Sequence, residues 1–355
     1  MGSVAHLEAV RITVGVDTHR DEHVAVALDA LGKKVATTSM PTTPKGYRDL
    51  LAWAEGLGAV EGWGVEGTGS YGAGLARHLK SAEHLVHEVI RPNRSVRRRK
   101  GKSDLVDAEA AARAVQAGVA AGVPKSGEGA VEMIRVLQIA RSSAVKQHTQ
   151  AINSMRGLIV TAPSELREAL RGLSVPRVVA DCCTLRPGDL LSPTAAVKFA
   201  LRCLARRHRD LTKEIKTLDA ELAPLTVKVA PALTKLFGVG TQVASQLLVT
   251  AGDNPSRLHS QAGFAALCGV SPVEASSGQT RRHRLNRGGD RQANAALHRI
   301  VIVRLRHDEE TQRYMAKRTA EGKSKREVIR CLKRYVANEV YAALMTSADN
   351  PQKAA

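Results

Sequence analysis

The sequence is poor in aromatic residues, which make up 3% of its 355 positions. Modules that bind single-stranded nucleic acids commonly stack bases on aromatic side chains, so this composition argues against them. The five cysteines form no C-x-x-C pair and no Cys/His spacing typical of zinc, which indicates reduced, intracellular usage. The sequence has no signal-peptide pattern and no run of about 18 apolar residues, so we expect a cytoplasmic protein without a membrane span.

Acidic residues are outnumbered by basic ones, 34 to 53, which gives a formal net charge of +19. Each phosphate that a cation neutralises releases counterions, so a protein this basic is expected to bind nucleic acid. The alternative is a basic surface without a partner, because net charge concerns association rather than fold. The length is sufficient for two domains and a connector.

The N-terminal pattern predicts three strands in succession, over residues 12–16, 23–28 and 34–39. A helix to about residue 56 then begins at Thr43-Pro44, a hydroxyl cap followed by proline. Further elements are predicted as a strand over 63–66, a helix over 71–80, a strand over 84–90, and a helix capped by Ser103 that runs to about 116. This order of elements is that of the ribonuclease H-like fold, whereas a plain doubly wound sheet would begin with a strand, a helix and a strand.

The remainder reads as helical, so the predicted fold class is α/β plus α. Apolar residues at three- and four-residue steps predict long helices over 129–160 and 195–222, joined by a loop-rich segment over 162–193. Such a pair forms either an antiparallel coiled-coil arm or part of an ordinary helical bundle. Later helices are predicted over 241–250, 292–305 and 324–343. The expected division is a nuclease domain over 1–125, the arm over 126–230, a C-terminal domain over 231–347, and a flexible tail over 348–355.

Four carboxylates carry the strongest chemical signal. Asp17 closes the first predicted strand, Glu66 ends the fourth, and Asp104 and Asp107 share one face of the following helix. In the predicted topology the first and fourth strands are neighbours and this helix crosses their ends, so the four should converge. Singly, each acid is also explained by a strand end, a turn or the helix dipole. Together they predict a Mg²⁺ site, where two ions about 4 Å apart can promote phosphodiester cleavage.

Basic and glycine-rich segments supply further candidates. The run before the acidic pair suits phosphate backbones, or is simply a solvated charge run; it contains Arg94, Arg97, Arg98, Arg99, Lys100 and Lys102. Gly238 and Gly240 resemble a helix-hairpin-helix turn whose amides hold phosphate, although a plain turn fits as well. Ser276 or Ser277, directly before Gly278, could be a nucleophile, but Ser-Gly loops are also common turns. The nearby arginines suited to a phosphoryl group are Arg281, Arg282, Arg284 and Arg287.

These motifs, taken in order, resemble the DEDD-type transposases of the IS110 insertion-sequence family, which are related to pilin-gene invertases. The resemblance rests on the segments around Asp17, Glu66 and Asp104–Asp107, and on those at 238–240, 276–278, 285–290 and 322–325. It covers nearly the whole chain. The segment at 322–325 adds Lys323 and Lys325 to the residues expected to contact nucleic acid.

The resemblance implies a RuvC-like nuclease domain, a coiled-coil arm and a C-terminal transposase domain. On the family pattern the Mg²⁺-binding tetrad, with Mn²⁺ as an alternative ion, is Asp17, Glu66, Asp104 and Asp107. The serine that becomes covalently linked to DNA falls on Ser277, with Ser276 adjacent. The implied partners are element ends and target DNA, a structured non-coding bridge RNA, and further copies of the chain as a dimer that assembles to a tetramer. The implied setting is the prokaryotic nucleoid.

Two other functions fit parts of the pattern. A structure-specific nuclease, such as a Holliday-junction nuclease, would use the acids without a serine step. A non-enzymatic nucleic-acid-binding protein would carry a degenerate nuclease fold. The intact set of four acids argues against the second alternative.

Overall fold

The computed structural model describes residues 10–89, 103–120, 122–279 and 283–348. The chain divides into two compact units, Met1–Gly127 and Glu128–Ala355. The first contains a mixed β-sheet and the second is mostly helical, which confirms the prediction of an α/β region followed by an α region. From residue 349 onward, the predicted tail lies outside the described residues.

The first unit is built on a five-stranded sheet with the strand order β3-β2-β1-β4-β5. The strands are β1 (Arg11–Thr18), β2 (Glu22–Asp29), β3 (Lys34–Pro41), β4 (Ala59–Glu66) and β5 (Val86–Val89). β2 pairs antiparallel with β1 and β3, while β4 pairs parallel with β1 and β5. The first and fourth strands are therefore neighbours, as predicted.

Helices cover both faces of this sheet. They are α1 (Pro44–Leu57), α2 (Ala73–Ser81) and α3 (Asp104–Gln116). α1 begins as predicted, because the Thr43 hydroxyl accepts a hydrogen bond from the Gly46 amide at 3.1 Å and Pro44 takes the first helical position. Ser103 occupies the cap position of α3, but its side chain makes no capping bond, so that part of the prediction was wrong.

The two faces of β1 have different chemistry. Ile12, Val14 and Val16 pack in a core with residues of α1 and α2. Successive side chains of a strand point to opposite faces, so Gly15 and Asp17 lie on the other face, toward α3. On that face α3 also packs on β2, through the core formed by Val26, Leu28, Ala108 and Ala112.

In the second unit two long helices pack side by side, α4 (Ala130–Val160) and α7 (Pro193–Val229). They run antiparallel, because Arg141 pairs with Asp219 whereas His148, further along α4, contacts Thr212 at 3.1 Å. The segment between them was predicted to be rich in loops. It instead contains α5 (Ser164–Leu170) and α6 (Val175–Thr184), whose apolar side chains form a small core with the far ends of the long helices. These helices are too short to give a strong periodic signal.

A pair of closely packed histidines, whose rings are tilted by 32°, lies at the interface of the long helices and makes it sensitive to pH. The rings of His148 and His208 lie 3.7 Å apart, and burial, followed by the charge of His148, lowers the pKa of His208. Below about pH 6.5 the unfolded chain therefore binds a proton that the folded chain binds only at lower pH, so stability falls as the pH falls. We expect the loss of melting temperature between pH 7.5 and 5.5 to be smaller in His208→Leu than in wild type. An unchanged pH dependence would contradict this, and the exposed His298→Leu is the control.

The C-terminal part of the second unit is a helical assembly with one two-stranded hairpin, β6 (Val273–Glu274) and β7 (His283–Arg284). Its α-helices are α8 (Pro231–Thr234), α9 (Thr241–Ala251), α10 (Gln261–Leu267), α11 (Arg291–His307), α12 (Glu309–Ala320) and α13 (Lys325–Ala348). α12 was not predicted, since its residues are mostly polar. No helix in the described ranges is long and apolar enough to span a membrane.

The base of the long helical pair shares its core with this C-terminal part. Val131 and Ile134 of α4 and Leu222 of α7 pack in one cluster with Leu247 and Ile300. The C-terminal helices are thus anchored on the ends of α4 and α7 by a continuous apolar core.

Candidate functional site

The four carboxylates all belong to the first unit, two at the carboxyl ends of neighbouring strands and two at the start of α3. Asp17 is the penultimate residue of β1, and Glu66 is the last residue of β4. Asp104 and Asp107 occupy the first turn of α3. Asp17, Glu66 and Asp107 are buried, whereas Asp104 is exposed.

Two glycines set the height of α3 above the strands. A Cβ at Gly15 would overlap the carbonyl oxygen of Ala108, and a Cβ at Gly64 would lie 2.6 Å from the carbonyl oxygen of Ala111. α3 therefore rests directly on the backbones of β1 and β4. Because alternate residues of a strand face the same side, the acid two residues after each glycine also faces α3.

The spacing within α3 completes the arrangement. Ala108, above β1, comes four residues after Asp104, and Ala111, above β4, comes four residues after Asp107. Residues four apart lie on one face of a helix. Each aspartate is therefore one turn away from an alanine that touches the sheet. In the sequence, each strand acid follows a glycine by two residues, and each helix acid precedes an alanine by four residues. This pattern is visible in the sequence, but the sequence analysis overlooked it.

A tight turn holds the end of β4 against β1. The Thr18 hydroxyl donates a hydrogen bond of 2.8 Å to the carbonyl oxygen of Glu66. Gly67 follows with a φ of +63°, and a Cβ there would lie 3.2 Å from Thr18 Oγ1 and 2.9 Å from Ser70 Oγ. The left-handed conformation and the close approach both favour glycine at this position.

His19 joins this group and was missed by the sequence analysis. Its Nε2 lies 3.2 Å from Asp17 Oδ2 and 3.3 Å from Asp104 Oδ1. The ligand atoms of these three residues lie within 4.8 Å of one another, close enough to hold one metal ion. The signal available in the sequence was a histidine two residues after the first acid.

The residue types at this edge of the sheet fit a divalent cation. Carboxylate oxygens are the ligands that Mg²⁺ and Mn²⁺ prefer. Burying a charged carboxylate carries a desolvation cost of several kcal/mol for each carboxylate, and a bound cation offsets this cost. Asp17 and Asp104, on either side of the same imidazole, are the residues best placed to hold such an ion.

Part of the predicted basic surface lies outside the described residues. This applies to Arg281 and Arg282, and to the whole run that precedes α3, which comprises Arg94, Arg97, Arg98, Arg99, Lys100 and Lys102. Their contribution to nucleic-acid binding stays a prediction.

The two candidate serines lie in the second unit, on the β6–β7 hairpin. Val273 pairs with Arg284 and Glu274 with His283. Ser276 and Ser277 follow β6 and are both exposed. Gly278 then turns the chain with a φ of +56°, a conformation that glycine adopts without strain. The hairpin thus presents both hydroxyl-bearing residues at the surface.

A basic cleft of about 640 Å³ lies beside this hairpin, between β7 and α13. Of the predicted nucleic-acid-binding residues, Arg284 and Lys323 line it, whereas Arg287 and Lys325 are exposed outside its lining. Further cations that the sequence analysis did not select also line it, namely Arg330, Lys333 and Arg334.

Lys333 is the buried cation of the cleft. Its side chain is 8% exposed, and its Nζ donates a 2.8 Å hydrogen bond to Asn294 Oδ1. The Asn294 amide in turn donates to the carbonyl oxygens of Cys268 and Gly269, each at 3.0 Å. Burial, together with the charge of Arg330, lowers the pKa of Lys333. A cation held this way is oriented before any ligand arrives.

The segment around Gly288-Gly289-Asp290 has a structural role. The Asp290 carboxylate accepts hydrogen bonds from the amides of Gln292 and Ala293, which caps α11, and another from the Thr250 hydroxyl at 2.6 Å. Gly289 has a φ of +81° and lies so close to Gly269 that a Cβ would be 2.6 Å from that amide nitrogen. This segment therefore ties the end of the hairpin to the helical core.

The predicted glycine turn lies between α8 and α9. Gly238 has a φ of +81°, and Gly240 occupies the N-cap position of α9. Arg304 of α11 donates a 3.0 Å hydrogen bond to the carbonyl oxygen of Phe237 and also pairs with Glu339. The turn is thus held by an arginine from α11. A phosphate-binding role for its amides stays a prediction.

Two family models match this chain. One, for the DEDD transposases of IS110, is described as a transposase and matches residues 14–162. The other is described as the transposase IS116/IS110/IS902 family and matches residues 230–316. The first match includes all four carboxylates, and the second includes the glycine turn and both candidate serines.

Curated relatives agree with these matches. The chain is 30% identical over 157 residues to an uncharacterized 43.6 kDa protein of insertion element IS110 from Streptomyces coelicolor, an alignment that covers 44% of this chain and 37% of the relative. It is 20% identical over 386 aligned positions to an uncharacterized 42 kDa protein of insertion element IS900 from Mycobacterium paratuberculosis, covering 94% and 95% of the two chains. The chain therefore belongs to the IS110 family of transposases.

Proposed function

We propose that this chain cuts and rejoins DNA as the transposase of an insertion element. The observation that carries the proposal is the proximity of Asp17, His19 and Asp104 at the carboxyl end of β1. Glu66 ends the neighbouring strand β4, and Asp107 shares the first turn of α3 with Asp104. A ribonuclease H-like, RuvC-like nuclease domain is the interpretation of the sheet that fits this arrangement, given its strand order and the family to which the chain belongs.

The four carboxylates would hold one or two divalent cations, Mg²⁺ or Mn²⁺. When bound, such ions activate an attacking oxygen and stabilise the leaving oxygen of a phosphodiester. The protein supplies a rigid frame for this chemistry, because α3 rests on the glycines of β1 and β4. Asp17 and Glu66 are on strands, which hold side chains more accurately than loops do.

Ser277 is the proposed nucleophile for strand exchange, with Ser276 as its neighbour. Its Oγ would bond to phosphorus while a deoxyribose oxygen leaves and takes a proton. Attack by a hydroxyl of another strand would reverse the step and release the serine. The exposed hairpin and the cations of the adjacent cleft support this role, since cations there would stabilise the charge that develops on the phosphoryl oxygens.

The proposed partners are the element ends, a target DNA and a structured non-coding guide RNA. The net charge of +19 supports polyanionic partners in general. The residues proposed to contact phosphates are Arg94, Arg97, Arg98, Arg99, Lys100, Lys102, Gly238, Gly240, Arg281, Arg282, Arg284, Arg287, Lys323 and Lys325, to which the cleft adds Lys333.

We also propose that copies of the chain associate as dimers that assemble to tetramers through the arm formed by α4 and α7, in coiled-coil fashion. Met133, Val136 and Ile139 form an exposed apolar row on α4, at 55%, 53% and 57% exposure. Such a row is suited to contact with another protein surface. Two copies are needed if two DNA ends are held together.

A structure-specific nuclease that uses only the acids is the second candidate. It is favoured by the observation that all four carboxylates belong to the first unit, whereas both serines belong to the second. Such an enzyme would nick DNA without ever becoming covalently attached to it.

Ser277→Ala separates the two candidates. We would express the intact element, gene and flanking DNA, and recover DNA bound to the protein under denaturing conditions. The transposase proposal predicts that wild type and Ser276→Ala carry DNA whereas Ser277→Ala carries none, because only the Ser277 oxygen bonds to phosphorus. Metal-dependent nicking without attached DNA in all three proteins would favour the nuclease. Attached DNA lost only in Ser276→Ala would move the nucleophile by one residue.

A further inference from the structure

The turn that joins β1 to β2 places an imidazole inside the acidic cluster. Residues 19–21 form this turn, which is closed by the pairing of Thr18 with His23 and by a hydrogen bond of 3.2 Å from the His19 amide to the Glu22 carbonyl oxygen. The backbone of His19 is therefore fixed by the hairpin. Its ring points to the carboxyl end of β1, where Nε2 contacts both Asp17 and Asp104.

The spacing of these contacts matches a coordination sphere. In an octahedral site with ligands about 2.1–2.2 Å from the ion, adjacent ligand atoms are about 3.0 Å apart. His19 Nε2 lies 3.2 Å from one carboxylate oxygen and 3.3 Å from the other. An ion placed among the three atoms would thus reach all of them after shifts of a few tenths of an ångström. The Nε2 atom itself is buried and has no hydrogen-bond partner among the described residues, although the His19 side chain as a whole is 45% exposed.

The second histidine of the hairpin differs from His19 in its burial and in its neighbours. His23 is 1% exposed, stacks on Tyr47 with the ring centroids 5.8 Å apart, and has no carboxylate within ion-pair distance among the described residues. Its burial lowers its pKa. His23 is a core residue, whereas the Nε2 atom of His19 faces two carboxylates, as a metal ligand would.

We propose that His19 is an additional metal ligand, bound through Nε2 to an ion that Asp17 and Asp104 also hold. The proposal rests on the metal site of the proposed function and extends it beyond the four carboxylates. A nitrogen ligand changes which ion the site prefers. Mg²⁺ favours an all-oxygen environment, whereas imidazole is a good ligand for transition metals. The site should therefore bind Mn²⁺ more tightly than Mg²⁺, and His19 should account for much of that preference.

The opposing interpretation is that the imidazole only pairs with the two carboxylates and leaves them when an ion enters. Both interpretations predict that His19 matters for activity, so activity cannot distinguish them. A spectroscopic measurement that detects a nitrogen atom bound to the ion can distinguish them.

The experiment uses the full chain loaded with Mn²⁺ alone, without nucleic acid. Electron spin echo envelope modulation spectroscopy of the bound Mn²⁺ detects a directly coordinated ¹⁴N nucleus. We expect ¹⁴N modulation in wild type and in the control His84→Gln, because His84 lies at the other end of the sheet, beside Glu55. The modulation should disappear in His19→Gln. We also expect Mn²⁺ affinity to fall about 10-fold or more in that variant, with a smaller change for Mg²⁺.

Two results would overturn the inference in different ways. If wild type binds Mn²⁺, Asp17→Asn abolishes that binding, and no ¹⁴N modulation is seen, the metal site stands and His19 is only an ion-pair partner. If Asp17→Asn leaves Mn²⁺ binding unchanged, the ion does not bind at the cluster, and the proposed metal site fails together with the role of His19. Equal thermal melting of wild type and His19→Gln would show that loss of the signal is not loss of fold.

Discussion

A single methyl group at Gly15 should unfold or severely destabilise the sheet unit. In Gly15→Ala the new Cβ would overlap backbone atoms of Ala108 and Ala112. Neither is the mobile end of a side chain, so α3 would have to move away from β1. Overpacking of well-packed cores typically costs about 1–3 kcal/mol, and an overlap with helix backbone should reach or exceed the upper end of that range. We also expect loss of the proposed metal site, since α3 carries two of the four acids assigned to it.

Tryptophan fluorescence measures this effect in the correct unit, because both tryptophans of the chain, Trp53 and Trp63, belong to the first unit. Gly56→Ala is the matched control. It adds the same methyl group where nothing lies within 4 Å, and in a helix it should stabilise by about 0.5–1 kcal/mol. An unchanged denaturation midpoint in Gly15→Ala would contradict the close packing of α3 on β1.

Removing one charge at the acidic site should eliminate DNA strand cleavage while leaving the fold intact. Asp17→Asn keeps the size of the side chain but loses the carboxylate on the buried end of β1. Metal ions contribute several kcal/mol to the stabilisation of the transition state, and about 1.4 kcal/mol corresponds to a tenfold change in rate. We therefore expect a loss of about 1,000-fold or more. Stability in the absence of metal should be unchanged or higher, because fewer like charges are held together.

Asp21→Asn is the control for this variant. Asp21 is in the turn after β1, only four residues from Asp17, but its side chain is 89% exposed and pairs with Arg20. Strand cleavage and thermal melting should be those of wild type. If Asp17→Asn cleaved DNA at the wild-type rate, the carboxylates would not be the catalytic site, whatever their arrangement.

The sheet unit could be predicted from the sequence because its signals are local. Short apolar strands, the Thr43-Pro44 helix start and the order of elements were sufficient to make β1 and β4 neighbours. That adjacency then brought Asp17 and Glu66 together. Asp104 and Asp107 needed only the three-residue spacing within one helix.

What the sequence did not reveal depends on contacts between distant residues. The role of Gly15 and Gly64 is visible only when α3 is placed on the sheet, because a glycine in a strand has several explanations. His19 belongs to no recognisable sequence motif. Its possible role as a ligand becomes apparent only from its contact with Asp104, 85 positions further along the chain. Lys333 is one of many basic residues in the sequence. Its contact with Asn294, 39 positions away, appears only in the folded structure.

The helices α5, α6 and α12 were missed for a different reason. α5 has 7 residues and α6 has 10, too few turns for a clear helical period. α12 is longer, but among its 12 residues only Thr311 is buried. Polar helices of this kind are stabilised by their ends, here by the Asp308 carboxylate that accepts a hydrogen bond from the Thr311 amide at 2.9 Å.

The most direct test of the account measures DNA joining by the purified full chain with and without divalent metal. The substrate is DNA that carries the element's ends, supplied with a target DNA and with RNA transcribed from the element's flanks. The account predicts joined product with Mg²⁺ or Mn²⁺, none after the metal is removed by a chelator, and recovery when metal is restored in excess. Joined product that persists after complete removal of metal would contradict the central claim that DNA is processed at the acidic site of β1, β4 and α3.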